Sequence, residues 1–242
     1  MSFVLLEAGP VRPEHSSRND PRTNRPLREH QARSERDGAR KPAVVTETLI
    51  QQKAAIRKEI LERRKSQEPE VRAAHSRIIV TALVRRGEFL KAKSVLLYLS
   101  KDEEVATDDL VAKAFESGKR VFVPVVNRDS DELGILELPG PDTQYQLGPF
   151  GVREPVAQDL SFVPPEVIDL VVAPGVAFDR KGGRLGYGKG YYDQLLSRLD
   201  PSVTCVALAF DFQVLDAVPQ SENDIRMNTL ITEKSVMNCS GV

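Results

Sequence analysis

Hydrophobic residues are spaced unevenly along the 242-residue chain. From Glu7 to Pro42 the only large aliphatics are Val11 and Leu27, and no aromatic occurs. Beyond that stretch the pattern alternates between helical and strand-like periods. Leu49, Lys53, Ile56 and Ile60 fall on one stripe by three- and four-residue steps, which predicts a helix from a Thr48–Gln51 capping box to about Arg64. A second helix is predicted over Pro69–Leu90, with Ser66 or Gln67 near its start. Short, continuous, β-prone runs predict strands at Ser94–Leu99, Arg120–Val125, Leu133–Leu138, Ile168–Ala173, Thr204–Phe210 and Thr229–Thr232. Between them, Thr107 to Ser117, stopped by Gly118, and Gly190 to Leu199 read as helices. Strands separated by helical stretches predict an α/β fold of three layers, α/β/α, around a mainly parallel open sheet.

Composition divides the chain in two. Residues 1–45 hold nine Lys/Arg, six Asp/Glu and five Pro with few apolar groups, so burial cannot offset their ordering entropy and they are expected to be a disordered extension. Its acids argue against a transit peptide. Residues 46–242 hold 25 basic and 29 acidic groups and form the expected single folding unit. A net charge of −1 excludes a globally basic nucleic-acid binder, and no apolar run is long enough to span a bilayer. Two cysteines, Cys205 and Cys239, fit a reducing compartment and point to the cytoplasm ahead of a mitochondrion or other organelle. Three histidines leave the chemistry to carboxylates, Lys/Arg and backbone.

The segment Asp179–Asp193, DRKGGRLGYGKGYYD, packs Gly182, Gly183, Gly186, Gly188 and Gly190 among Lys181, Arg184 and Lys189, between a predicted strand and a predicted helix start. Missing side chains let backbone amides approach a polyanion there. The loop is of neither standard phosphate-binding type. Gly183 to Lys189 fits G-x-x-x-x-G-K, but Gly190 replaces the Ser or Thr that would hold magnesium. The dinucleotide pattern G-x-G-x-x-G fails at Tyr191. Asp193 in the first turn of the helix would repel a triphosphate unless a cation lay between them, which points to Mg2+ with Asp224 as a candidate second ligand. Lys53 and Arg57 on the first helix are cations on an apolar face, placed either to snorkel or to meet an anion.

Over residues 48–236 these stretches resemble the 5-formyltetrahydrofolate cyclo-ligase (5,10-methenyltetrahydrofolate synthetase) family. The Asp179–Asp193 segment carries the resemblance, supported by Lys53–Arg57, Tyr98–Thr107, Gly148–Pro155 and Val218–Asp224. The resemblance implies a fold like that of sugar-phosphate isomerases and CoA transferases. The implied reaction is ATP-dependent cyclisation of 5-formyltetrahydrofolate to 5,10-methenyltetrahydrofolate, with release of ADP and phosphate, through phosphoryl activation of the formyl oxygen. It implies ATP phosphate contacts from Lys53, Arg57, Arg184, Leu185, Gly186, Tyr187, Gly188, Lys189, Gly190, Tyr191 and Tyr192, with Lys189 and Arg184 as the catalytic clamp. It implies a folate site of Lys101, Glu104 and residues Tyr187 to Tyr191, and magnesium on Asp193 and Asp224. Tyr191 or Tyr192 stacks on the substrate or packs inward. The partners would be small molecules alone, a reduced folate and ATP, bound by a monomer without nucleic acid or membrane. Ala106 stands where the family commonly carries an acid. That departure keeps two alternatives open: an ATP-dependent relative acting on another formamide or heterocycle, and a non-catalytic nucleotide- or folate-binding module.

Overall fold

The computed structural model describes residues 43–101, 103–156 and 161–239, all within one compact unit. Of the expected extension 1–45, all but Ala43–Val45 lies outside the described residues. Helix α1 (Ala43–Lys65) ends on Arg63, Arg64 and Lys65, where cations complement the dipole. It begins at Ala43, so Thr48 lies inside the helix and does not cap it. Helix α2 (Pro69–Val84) starts at Glu68, with Pro69 in the first turn in place of a capping side chain. The helix predicted to reach Leu90 breaks at Arg85, and a separate short α3 (Gly87–Lys91) follows.

Strand β1 (Ser94–Leu97) is buried on both faces. It is followed by α4 (Asp108–Glu116), β2 (Arg120–Asn127) and β3 (Glu132–Glu137). Thr107 precedes α4 without capping it. Its hydroxyl is spent on the turn before the helix, donating to the Tyr98 carbonyl at 2.7 Å and accepting from the Ser100 amide at 3.1 Å. Gly118 does end the helical segment, at φ +69°. A hairpin unforeseen in the sequence, β4 (Tyr145–Leu147) and β5 (Arg153–Pro155), leads to β6 (Leu170–Ala173). Two short strands, β7 (Ala177–Asp179) and β8 (Arg184–Leu185), precede α5 (Tyr191–Ser197). The chain then forms β9 (Thr204–Leu208), β10 (Val214–Leu215), β11 (Thr229–Ile231) and β12 (Val236–Asn238).

The main sheet has the order β12-β11-β9-β6-β1-β2-β3. Its five central strands are parallel, and the edge strands β3 and β12 are antiparallel. Alternate residues face two cores. Val95, Leu97, Val121, Leu170 and Val206 pack against Ile79 and Leu83 of α2 and Leu110 of α4. Leu96, Phe122, Val171 and Ala207 pack against Leu195 and Leu196 of α5. That alternation makes the three layers. A third, smaller core joins Ile60 of α1 to Val176, Ala177 and Leu185 around the sheet β10-β7-β8.

The chain leaves β1 toward β2 on one side and resumes on the other at β6, so a topological switch point lies between β1 and β6. In open parallel sheets the crevice beyond the carboxyl ends of such strands is where ligands bind.

Candidate active site

A cavity of about 500 Å3 opens at that crevice. The Tyr98–Glu104 turn after β1, Pro174 after β6, the β8–α5 loop, α1 and the tip of the β4–β5 hairpin line it. Lys53, Arg57, Lys101, Glu104, the run Arg184–Asp193 and Asp224 all reach its wall, whereas Lys181, Gly182 and Gly183 do not.

The glycine cluster divides into two jobs. Asp179, only 4 % exposed, accepts from the amides of Lys181 and Gly183, both at 2.9 Å, and from Val218 at 3.0 Å. A Cβ on Gly183 would lie 2.4 Å from that carboxylate, and one on Gly182 would lie 2.3 Å from the Met227 carbonyl. These two glycines build the base of the loop and are not available to a ligand, contrary to the expectation that all five approach one. Gly186, Gly188 and Gly190 are on the cavity wall, the last two at φ +105° and +74°. Helix α5 has seven residues, under two turns, so its dipole is a small source of positive potential. Cations must supply most of it.

Arg57 Nε donates to the Gly186 carbonyl at 2.8 Å and Lys53 Nζ to Asp224 Oδ2 at 2.5 Å, so both heads turn into the cavity rather than toward water. Burial lowers the pKa of Arg57, with Asp224 opposing. Burial also raises the Asp224 carboxyl, but hydrogen bonds from Lys53 and from the Ser221 amide outweigh it and hold the group below its ordinary value. Arg184 Nη2 donates to Asp193 Oδ1 at 2.7 Å, and the same oxygen accepts from the Ile225 amide at 3.1 Å. That last bond joins the loop carrying Asp224 to the first turn of α5. Lys189 is exposed, with its ammonium 5.7 Å from the Phe150 ring centre. Among the described residues it has no carboxylate partner. Tyr192 packs inward against both cores, and burial pushes its hydroxyl far above the ordinary range. Tyr191 stays at the rim, donating to Asp131 at 2.8 Å.

At the opposite end of the cavity, Tyr187 donates to Glu104 Oε1 at 2.5 Å, and the Lys101 amide donates to Oε2 at 2.9 Å. Four residues of this site went unassigned in the sequence. Arg64 continues the step from Lys53 and Arg57 by seven residues, a signal present in the helical pattern, and bonds to Tyr187 at 2.9 Å. Tyr98, Phe150 and Glu154 line the cavity from segments whose spacing carries no chemical signature. Phe150 adopts φ +59° at the hairpin tip. Burial raises the Glu154 carboxyl. Ala106 does not line this cavity. It borders a neighbouring cleft of about 620 Å3, and its amide donates to Ser76 Oγ at 3.0 Å.

Comparison with known proteins fits this geometry. A model of the 5-formyltetrahydrofolate cyclo-ligase family matches residues 49–233. The chain belongs to the 5-formyltetrahydrofolate cyclo-ligase family. It is 27 % identical over 199 residues to the Mus musculus 5-formyltetrahydrofolate cyclo-ligase, covering 78 % of this chain and 97 % of the mouse protein. It is 29 % identical over 178 residues to that of Escherichia coli K12, covering 73 % and 98 %. The solution structure of Aquifex aeolicus 5,10-methenyltetrahydrofolate synthetase superposes with a TM-score of 0.69 at 35 % identity, covering 78 % of this chain and 94 % of that one. The matched residues 49–233 include every strand of the main sheet except β12 and every residue that lines the cavity.

Proposed function

We propose that this chain catalyses the ATP-dependent closure of 5-formyltetrahydrofolate to 5,10-methenyltetrahydrofolate. The observation that carries the reading is the convergence of Lys53, Arg57, Arg184, Lys189, Asp193 and Asp224 on one wall of a cavity whose far end presents Lys101 and Glu104.

The N5 formamide is a poor electrophile because its oxygen is a poor leaving group. In the proposed sequence the formyl oxygen attacks the γ-phosphorus of ATP, an O–P bond forms, and the bond to the β-phosphate oxygen breaks to release ADP. N10 then adds to the activated carbon and loses its proton. The C–O bond breaks, phosphate leaves, and the 5,10-methenyl cation remains. Such a transfer requires charge neutralisation and in-line positioning rather than a covalent nucleophile. Arg57, Arg184 and the mobile-headed Lys189 suit the phosphates, while Gly186, Gly188 and Gly190 let the chain approach them. Tyr191, at the rim beside Phe150 (ring centres 6.2 Å apart), offers an aromatic face to the substrate, whereas Tyr192 borders the cavity but packs against both cores.

Magnesium fits the donors present. Asp193 and Asp224 each keep acceptor capacity beyond their bonds from Arg184, the Ile225 amide, Lys53 and Ser221, and two carboxylates with substrate phosphates are a usual magnesium set. No group of three acids, histidines or cysteines that could hold a metal by itself occurs among the described residues. When bound, the ion would neutralise phosphate charge.

Ala106 borders the neighbouring cleft, so the acid missing there is not subtracted from the cavity wall, where Glu104 and Glu154 remain. Two free thiols, Cys205 and Cys239, support a reducing, cytoplasmic setting.

The test mixes the protein with 5-formyltetrahydrofolate and MgATP and follows the methenyl absorption band together with phosphate. A band growing in step with phosphate is expected. Retained ATP binding without the band would favour action on another formamide or heterocycle, and ligand stabilisation without ATP hydrolysis would favour a binding module.

A further inference from the structure

We infer that Arg64 is a positioning residue that sets affinity for the folate: with Tyr187 it holds the Glu104 carboxylate rigid at the end of the cavity remote from the phosphates. The inference rests on the function proposed above and adds a residue that no part of that reading requires.

Arg64 is 1 % exposed. A guanidinium withdrawn from water is tolerated only where carbonyls and an anion replace its hydration. Here Nε donates to the Glu103 carbonyl at 2.9 Å, Nη1 donates to the Tyr187 hydroxyl at 2.9 Å, and Nη2 lies 3.7 Å from Glu104 Oε1. A guanidinium has no acceptor, so the tyrosine proton must point the other way, to Glu104 Oε1 at 2.5 Å. The hydroxyl is thereby committed as a relay between cation and anion, shorter and stronger than a neutral pair. Burial first, and then Glu104, raise the Tyr187 pKa, which keeps that proton in place.

The second carboxylate oxygen is tied by the Lys101 amide at 2.9 Å. With both oxygens held, the plane of the carboxylate is fixed, yet each oxygen keeps a vacant acceptor direction. Two of the other acids on the cavity wall are already engaged, Asp193 by Arg184 and Asp224 by Lys53. Glu154 is the remaining acid on the wall, and of these two Glu104 is the one fixed by Tyr187 and Lys101 to meet the amino and ring N–H donors of a reduced pterin. Arg64 stands eleven residues from Lys53 on one helix, about 16 Å along its axis at 1.5 Å per residue. A change at Arg64 thus acts about two helical turns beyond Arg57, the nearer of the α1 cations given to the phosphates.

Steady-state kinetics of the full chain, varying each substrate separately, test this with Tyr187→Phe, Arg64→Lys and Arg64→Met. In Tyr187→Phe and Arg64→Met, KM for 5-formyltetrahydrofolate should rise about tenfold or more, as losing a hydrogen bond to a charged group predicts. In the Arg64 variants kcat and KM for ATP should stay within about threefold, because Arg64 is outside both the cavity wall and the set of residues given to the phosphates. Arg64→Lys should restore part of the affinity, and its effect should not add to that of Tyr187→Phe, because both act through Glu104. An unchanged folate KM, equal rises in both KM values, or strict additivity would overturn the inference. Should Arg64→Met fail to fold, Tyr187→Phe, which deletes one oxygen atom, decides the matter. A parent chain without turnover overturns the proposed function and this inference together, whereas an active parent with indifferent variants overturns this inference alone.

Discussion

Arg184 and Asp193 form an ion pair at 2.7 Å that ties strand β8 to the first turn of α5, closing the glycine loop between them like a clasp. The guanidinium is 2 % exposed and the carboxylate 22 %. Asp193 consequently has a structural role beside the metal-binding one proposed for it. Asp193→Asn keeps the shape but removes the charge opposite a buried cation. We expect a loss of about 1–3 kcal/mol in stability by urea unfolding. The magnesium concentration for half-maximal rate should rise about tenfold or more. An unchanged magnesium titration would remove Asp193 from the metal site while leaving its clasp role standing.

Lys53 and Asp224 make a half-buried pair, and its contribution depends on pH. The Asp224 pKa is depressed in the fold below its ordinary 3.8. A group with a depressed folded pKa stabilises fully above its unfolded value, and that stability is lost as pH falls through the folded one. Lys53→Met should therefore be less stable than the parent near neutrality by about 1–3 kcal/mol. The gap should close as pH drops below 3.8. Urea unfolding of both proteins at pH values from neutral to acid measures it; a gap independent of pH would mean that Lys53 contributes by packing alone.

Lys189 is an exposed cation of the loop on the cavity wall, with no carboxylate partner among the described residues and no buried contact to lose. Lys189→Ala should lower kcat on the order of 10²-fold, the scale of losing one group that meets transition-state charge. The melting temperature should scarcely move. Equal losses in turnover and stability would assign the lysine to the structure.

Gly183 provides the opposite case. Its missing Cβ leaves room for the Asp179 carboxylate, which a methyl group would approach to 2.4 Å. Gly183→Ala must displace that carboxylate from three amides, so we expect a loss of about 3 kcal/mol or failure to accumulate as folded protein. Thermal unfolding decides it, and a variant as stable as the parent would show that the loop base yields freely.

The sequence alone showed six of the seven strands of the main sheet and the helices between them, because buried parallel strands are short continuous apolar runs and α1 carries a clear stripe, but it did not show the short strands β4, β5, β7, β8, β10 and β12. It also showed the concentration of glycines and cations in the Asp179–Asp193 loop, the feature on which the proposed phosphate site rests. Local pattern failed where a side chain was claimed by a distant partner. Thr107 looks like a cap but bonds across the turn to Tyr98 and Ser100, and Gly182 and Gly183 look like ligand contacts but make room for Met227 and Asp179. Only the tertiary structure decided that Tyr192 turns inward, that Ala106 borders another cleft, and that Arg64 reaches Glu104 through Tyr187. Those outcomes depend on contacts between residues far apart in the chain, here 83 positions for Tyr187 and Glu104, which chain folding creates and local spacing does not encode.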